Sequence, residues 1–155
     1  MNKQQVKIVL ESAKNSFLMN DNHLISVEAN ERSMTHKFAE CLQAAIGCSW
    51  NVDCEYNRYG DEPKRIEEIM RIIVDQAVST DETKATTVYP DIIIHKRGDR
   101  GPNLLVIEAK KDANKEERRR DIRKLTTIKK SYKYIFSVFI NFKTRTKSIE
   151  IEFTK

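Results

Sequence analysis

Leu104, Leu105, Val106 and Ile107 stand in an unbroken apolar row, and Glu108, Ala109 and Lys110 follow directly. Successive side chains of a strand point to opposite faces, so four apolar residues in a row need cover on both faces. Such a strand is central in a sheet that has helices packed on it. That limits the chain to a layered α/β or α+β domain. Glu108 and Lys110 are two residues apart and therefore project to the same face of this strand.

The other periodicities supply the layers. Val6, Val9, Leu10, Ala13 and Phe17 follow helical spacing and predict an N-terminal helix, with a break at Asn20, Asp21 and Asn22. Val27, Glu31, Met34, Phe38, Leu42 and Ala45 predict a helix of about five turns ending near Gly47. Glu31 sits in line with that apolar stripe, and an inward carboxylate needs a partner or a metal. Trp50, Val52, Cys54 and Tyr56 alternate with polar residues as in a half-buried strand. Gly60, Asp61 and Pro63 mark a turn, residues 66–78 read as an inserted helix, and residues 79–87 as a loop. Strands are expected over 88–95, 104–110, 134–142 and 148–153, and a helix over 115–130 with Ile122, Leu125 and Ile128 inward. At 155 residues one domain spanning 1–155 is expected.

Charge is unevenly spread. The chain carries a net +5, whereas residues 110–133 hold eleven Lys or Arg against four acids, +7 in that stretch and −2 elsewhere. Either this is a solvated helix face laced with ion pairs, or it is a surface for a polyanion. Its placement directly after Lys110 favours the second, with Lys111, Arg118, Arg119, Arg123 and Lys124 as phosphate contacts. No uncharged apolar run is long enough to span a membrane. No N-terminal secretory pattern is visible, and Cys41, Cys48 and Cys54 form no CxxC pair, so a reduced, cytoplasmic setting is expected.

The chemistry concentrates in the central hairpin. Asp91 follows Pro90 at the start of one strand and can lie beside Glu108 on the next. Two adjacent carboxylates repel, and a divalent cation removes that penalty. Oxygen ligands of this kind suit Mg²⁺, with Mn²⁺ as the alternative. Lys110, beside the cation, can position water or offset charge on a phosphoryl transition state.

Pro90–Asp91 followed by Glu108–Ala109–Lys110 resembles the PD-(D/E)xK nuclease superfamily. The resemblance covers about residues 27–142. It implies a restriction-endonuclease-like mixed central sheet flanked by helices, with core order αβββαβ, an extra N-terminal helix and an inserted helix after the first strand. It also implies metal-dependent cleavage of DNA, endonuclease type. Asp91 and Glu108 would hold the metal with the Ala109 carbonyl, and Glu31 would match the acid that many members add from the first core helix. The Asn30–Glu31–Arg32 and Cys54–Glu55–Tyr56–Asn57 stretches resemble a branch of small prokaryotic members. The helix after Lys110 reads Asp121–Ile122–Arg123–Lys124–Leu125 and lacks the Gln of an exonuclease branch. Glu55 and His36 are auxiliary candidates, although His36 falls about 140° around the helix from Glu31.

Each residue also has a plainer reading. Asp91 can be a turn residue, Glu108 and Lys110 a cross-strand ion pair, and Glu31 an acid favoured at a helix start. His95 falls on the Asp91 face by alternation and can contact substrate. Two other functions stay open: a nucleic-acid-binding or interaction module without turnover, and an RNase using the same site, since nothing reads a 2′-hydroxyl. One site per chain cuts one strand, so double-strand cleavage requires a homodimer or two nicks.

Overall fold

Asn2 opens the first helix. Its Oδ1 accepts the Gln5 N–H at 2.9 Å, and Gln5 Oε1 accepts the Asn2 N–H at 2.8 Å. This capping box satisfies donors that a helix start leaves unpaired. Helix α1 runs Lys3–Asn20 and turns Val6, Leu10, Ala13 and Phe17 inward. A short helix α2, Asn22–Ser26, follows and buries Ile25. Helix α3 covers Glu31–Ile46, with Asn30 accepting the Ser33 N–H at 2.8 Å. The five-turn helix expected from Val27 therefore starts four residues later. Glu28 adopts a left-handed φ of 53° that separates the two helices, and Val27 is an exposed residue capping α2. Gly47, at φ 76°, ends α3 in a conformation that favours glycine.

The chain, as a computed structural model, is described over residues 1–56, 89–98 and 101–154, with the backbone of four two-residue strands between 58 and 87. Strand β1 is Asn51–Cys54; β2, β3, β4 and β5 are Arg58–Tyr59, Glu62–Pro63, Arg65–Ile66 and Thr86–Thr87. β2 pairs with β3, and β4 with β5; Gly60 and Asp61 of the expected turn lie outside the described residues, and Pro63 lies in β3. Ile66, expected to begin a helix, lies in β4, and Thr86 and Thr87, expected in a loop, form β5. The rest of that helix and loop lies outside the described residues.

Strands β6 (Ile92–His95), β7 (Asn103–Lys111), β8 (Phe136–Lys143) and β9 (Ser148–Phe153) complete a five-stranded sheet of order β1-β6-β7-β8-β9. β7 and β8 are parallel and the other neighbours antiparallel. Helix α4, Lys115–Ser131, makes the crossover between the parallel pair. The fold is thus mixed α+β, an open mixed sheet with four helices among the described residues.

The apolar row is covered on both sides, as its composition requires. Leu105, Ile107 and Ala109 join the core built with α1 and α3, where Phe17, Phe38 and Phe142 meet at centroid distances of 5.6–6.1 Å. Val106 points the other way, to Leu125 and Ile128 of α4 and to Ile93 and Phe139. Each fully buried ring or aliphatic chain contributes roughly 1.5–3 kcal/mol. β1 departs from simple alternation. Trp50 and Val52 pack on the α3 side, but Glu55 at φ 49° turns the chain, Cys54 is exposed, and Tyr56 packs with the α4 core.

Two devices fix where α4 starts. The Asp112 carboxylate accepts from Thr144 N and Oγ1 at 3.0 and 2.7 Å. Asn114 Oδ1 accepts the N–H groups of Glu116 and Glu117, and Glu117 returns a bond to Asn114 N. Asn114→Ala should lower stability by about 1 kcal/mol in urea unfolding, and Asn114→Gly by only a few tenths. Equal losses in both variants would argue against the cap.

Candidate functional site

Asp91 stands immediately before β6. The pairing of Ile92 with Ile107 sets it opposite Glu108, and its Oδ2 accepts the Ala109 N–H at 2.8 Å. Glu55 N–H donates to the Asp91 carbonyl at 3.1 Å. Glu108 is 2% exposed. Its Oε2 accepts from Lys124 Nζ at 2.8 Å, and its Oε1 is buried without a partner among the described residues. Lys124 also donates to the Tyr89 carbonyl at 3.3 Å. Glu31, the first residue of α3, accepts from Lys110 Nζ at 2.8 Å and from Lys111 N at 3.0 Å. Glu108 and Lys110 leave one face of β7 but end on different partners: Glu108 on α4, Lys110 on α3.

Burial, with the Asp91 charge beside it, pushes the Glu108 carboxyl up to about 8. Burial also raises Asp91, against the Ala109 N–H and the two lysines. Burial opposes the charge of Lys110, yet the hydrogen bond and charge of Glu31, with the charges of Asp121 and Asp91, together outweigh it and raise that group. A third acid joins them from α4. Asp121 is 4% exposed, its Oδ2 is buried without a partner among the described residues, and its Oδ1 lies 3.7 Å from Arg120 Nε. Burial raises it, partly offset by Lys110.

Four carboxylates, Glu31, Asp91, Glu108 and Asp121, thus share the site with two ammonium groups, Lys110 and Lys124. Among the described residues no three His, Cys, Asp or Glu side chains stand as a ready ligand set. The donor chemistry still fits a hard divalent cation. The donors are carboxylate oxygens, and two of these buried oxygens lack a partner among the described residues.

A cleft of about 750 Å³ opens beside Asp91 and Glu31, lined also by Glu55, Arg32, His36 and Lys37. Arg32 and Glu55 pair at 2.9 Å, and His36 is 3.0 Å from Glu40. Both auxiliary candidates border the cleft, paired with Arg32 and Glu40.

The basic helix divides. Arg119 and Arg123 are exposed. Arg118, expected on phosphate, holds Glu152 of β9 with Nε at 2.9 Å, and Lys124, expected on phosphate, faces Glu108. Lys111 Nζ donates to the Glu28 carbonyl at 3.2 Å. These partners lie far off in sequence, which is why charge alone assigned the residues outward. His95 is 3% exposed and bonds Asp53 Oδ2 at 2.8 Å, so it packs in the core. Arg97 also binds Asp53; burial raises the Asp53 carboxyl, and Arg97 with His95 outweigh it and hold it low.

Asp121 and the inward role of Lys124 escaped the sequence reading. A signal existed: Asp121, Leu125 and Ile128 are spaced i, i+4, i+7, the same in-stripe position that marked Glu31. Among the described residues no helix is long and apolar enough to cross a membrane. No protein-family model, no curated protein and no solved structure matches the chain, so what this site does has to be read from its own chemistry.

Proposed function

We propose that the chain is a metal-dependent nuclease of the PD-(D/E)xK kind that hydrolyses phosphodiester bonds in DNA. The observation that carries this reading is Glu108: a buried carboxylate with an open oxygen, opposite Asp91 and two residues before Lys110. The order α3, β1, β6, β7, α4, β8, with an antiparallel trio and a parallel crossover, supports the family's core order αβββαβ.

Asp91 and Glu108 would hold Mg²⁺ or Mn²⁺ with the Ala109 carbonyl. A divalent ion supplies Lewis acidity toward water and the phosphoryl oxygens. Lys110 orients the attacking water or offsets the charge that develops on the phosphoryl group. Glu31 holds Lys110 in line, at 2.8 Å. Arg119 and Arg123, exposed on the helix that begins five residues after Lys110, can track a phosphate backbone.

The test is a substrate panel. Supercoiled plasmid, linear duplex, single strands, branched DNA and RNA are each incubated with Mg²⁺, Mn²⁺ or EDTA. Metal-dependent DNA products are expected. Products from RNA alone would make the chain an RNase. Salt-sensitive binding without products in any lane would make it a binding module.

A further inference from the structure

We propose that Lys124 is a resident counter-cation that a divalent metal must displace from Glu108, and that Asp121 is the second seat that receives its ammonium group. The inference rests on the metal-binding reading above.

Lys124 Nζ lies 2.8 Å from Glu108 Oε2 and 3.3 Å from the Tyr89 carbonyl, so it stands on the carboxylate that reading gives to the metal. A Mg²⁺ ion binds carboxylate oxygen at about 2.0–2.1 Å. An ammonium group on the same carboxylate would then face a doubly charged ion at close range in a buried site, where repulsion is poorly screened. The lysine has a flexible four-carbon stem and can move its charge without moving the helix.

Asp121 is placed to accept it. It precedes Lys124 by three residues on α4, so the two side chains are neighbours on one face. Its Oδ2 is buried and has no partner among the described residues, a costly state for a carboxylate oxygen. Arg120 approaches only the other oxygen, Oδ1. Moving the ammonium to Asp121 pairs that oxygen and leaves Asp91 and Glu108 to the metal. Asp121 is in this account a positioning residue, acting through Lys124.

Calorimetric titration of the full chain with Mn²⁺ tests this, using wild type, Glu108→Gln, Lys124→Met, Asp121→Asn and the Lys124→Met/Asp121→Asn double variant. Lys124→Met should tighten Mn²⁺ by about tenfold, and Asp121→Asn should weaken it by about tenfold, within the usual range of coupling between sites. In the Lys124→Met background, Asp121→Asn should change affinity by less than about threefold, since its effect runs through the lysine. If Lys124→Met does not fold, Lys124→Gln replaces it. Equal weakening by Asp121→Asn with and without Lys124 would overturn the proposal, making Asp121 a direct ligand. So would an unchanged or weaker affinity in Lys124→Met. Uptake in wild type that is absent, or identical in Glu108→Gln, would remove the metal-binding reading itself; loss in Glu108→Gln with a flat lysine cycle removes the displacement alone.

Discussion

Glu108→Gln is expected to reduce metal-dependent DNA cleavage by on the order of a thousandfold or more while the fold stays intact. The substitution keeps the side-chain volume and removes the charge that holds the cation. Lys124 loses its ion pair but keeps the Tyr89 carbonyl at 3.3 Å. The apolar neighbours Val106, Ile107 and Ala109 are untouched. Single-turnover nicking of plasmid, read beside the circular dichroism spectrum, separates lost chemistry from lost structure. Asp91→Asn should lose comparable activity. Near-wild-type nicking in both variants would reject the assignment of these two acids.

The second large effect is on stability against pH, in the absence of metal. The Glu108 carboxyl titrates near 8 in the folded chain and near 4.3 when unfolded. Between those values the folded state binds a proton that the unfolded state has released. Stability from this group is therefore full below the unfolded value and is lost as pH rises through about 8. Asp91 and Asp121, also raised, push in the same direction. Asp53, held low, acts oppositely: its contribution is lost as pH falls through its folded value. The loss attached to Glu108 is a few kcal/mol, or a fall in Tm of roughly 10 °C between pH 5 and 9. Thermal melts in EDTA should show this fall in wild type and a much flatter profile in Glu108→Gln. A wild-type Tm that climbs across this range, or the same slope in the variant, would count against it.

Where local pattern decides structure, the sequence is a close guide. The last strand was expected over 148–153 and is Ser148–Phe153; the helix expected over 115–130 is Lys115–Ser131. Both carry a full period of apolar spacing between clear turn signals. Helix α2 was not expected, because five residues hold too little periodicity to separate a helix from a turn. Val27 lined up with the α3 stripe by spacing alone, and the left-handed Glu28 breaks that line. Asp91 and Glu108 could be set side by side from strand pairing, which is local. The partners of Lys124 and Arg118 depend on how α4 packs on the sheet, and that of His95 on the pairing of β1 with β6, 42 residues apart in sequence. Asp121 lies within a run of charges that reads as solvated surface, and its place in the stripe with Leu125 and Ile128 is what marks it as inward.

The parallel pairing of β7 with β8 also governs how this chain reaches its fold. Parallel neighbours need a crossover, and the Lys110–Glu31 bond spans 79 residues. Contact order is thus high where the acids meet, and mixed topologies of this kind fold more slowly than helical bundles. During synthesis Glu31, Asp91 and Glu108 are made before Lys124. Glu108 must then stay hydrated until α4 arrives, so burial of the acids and completion of the sheet are expected as one late kinetic event.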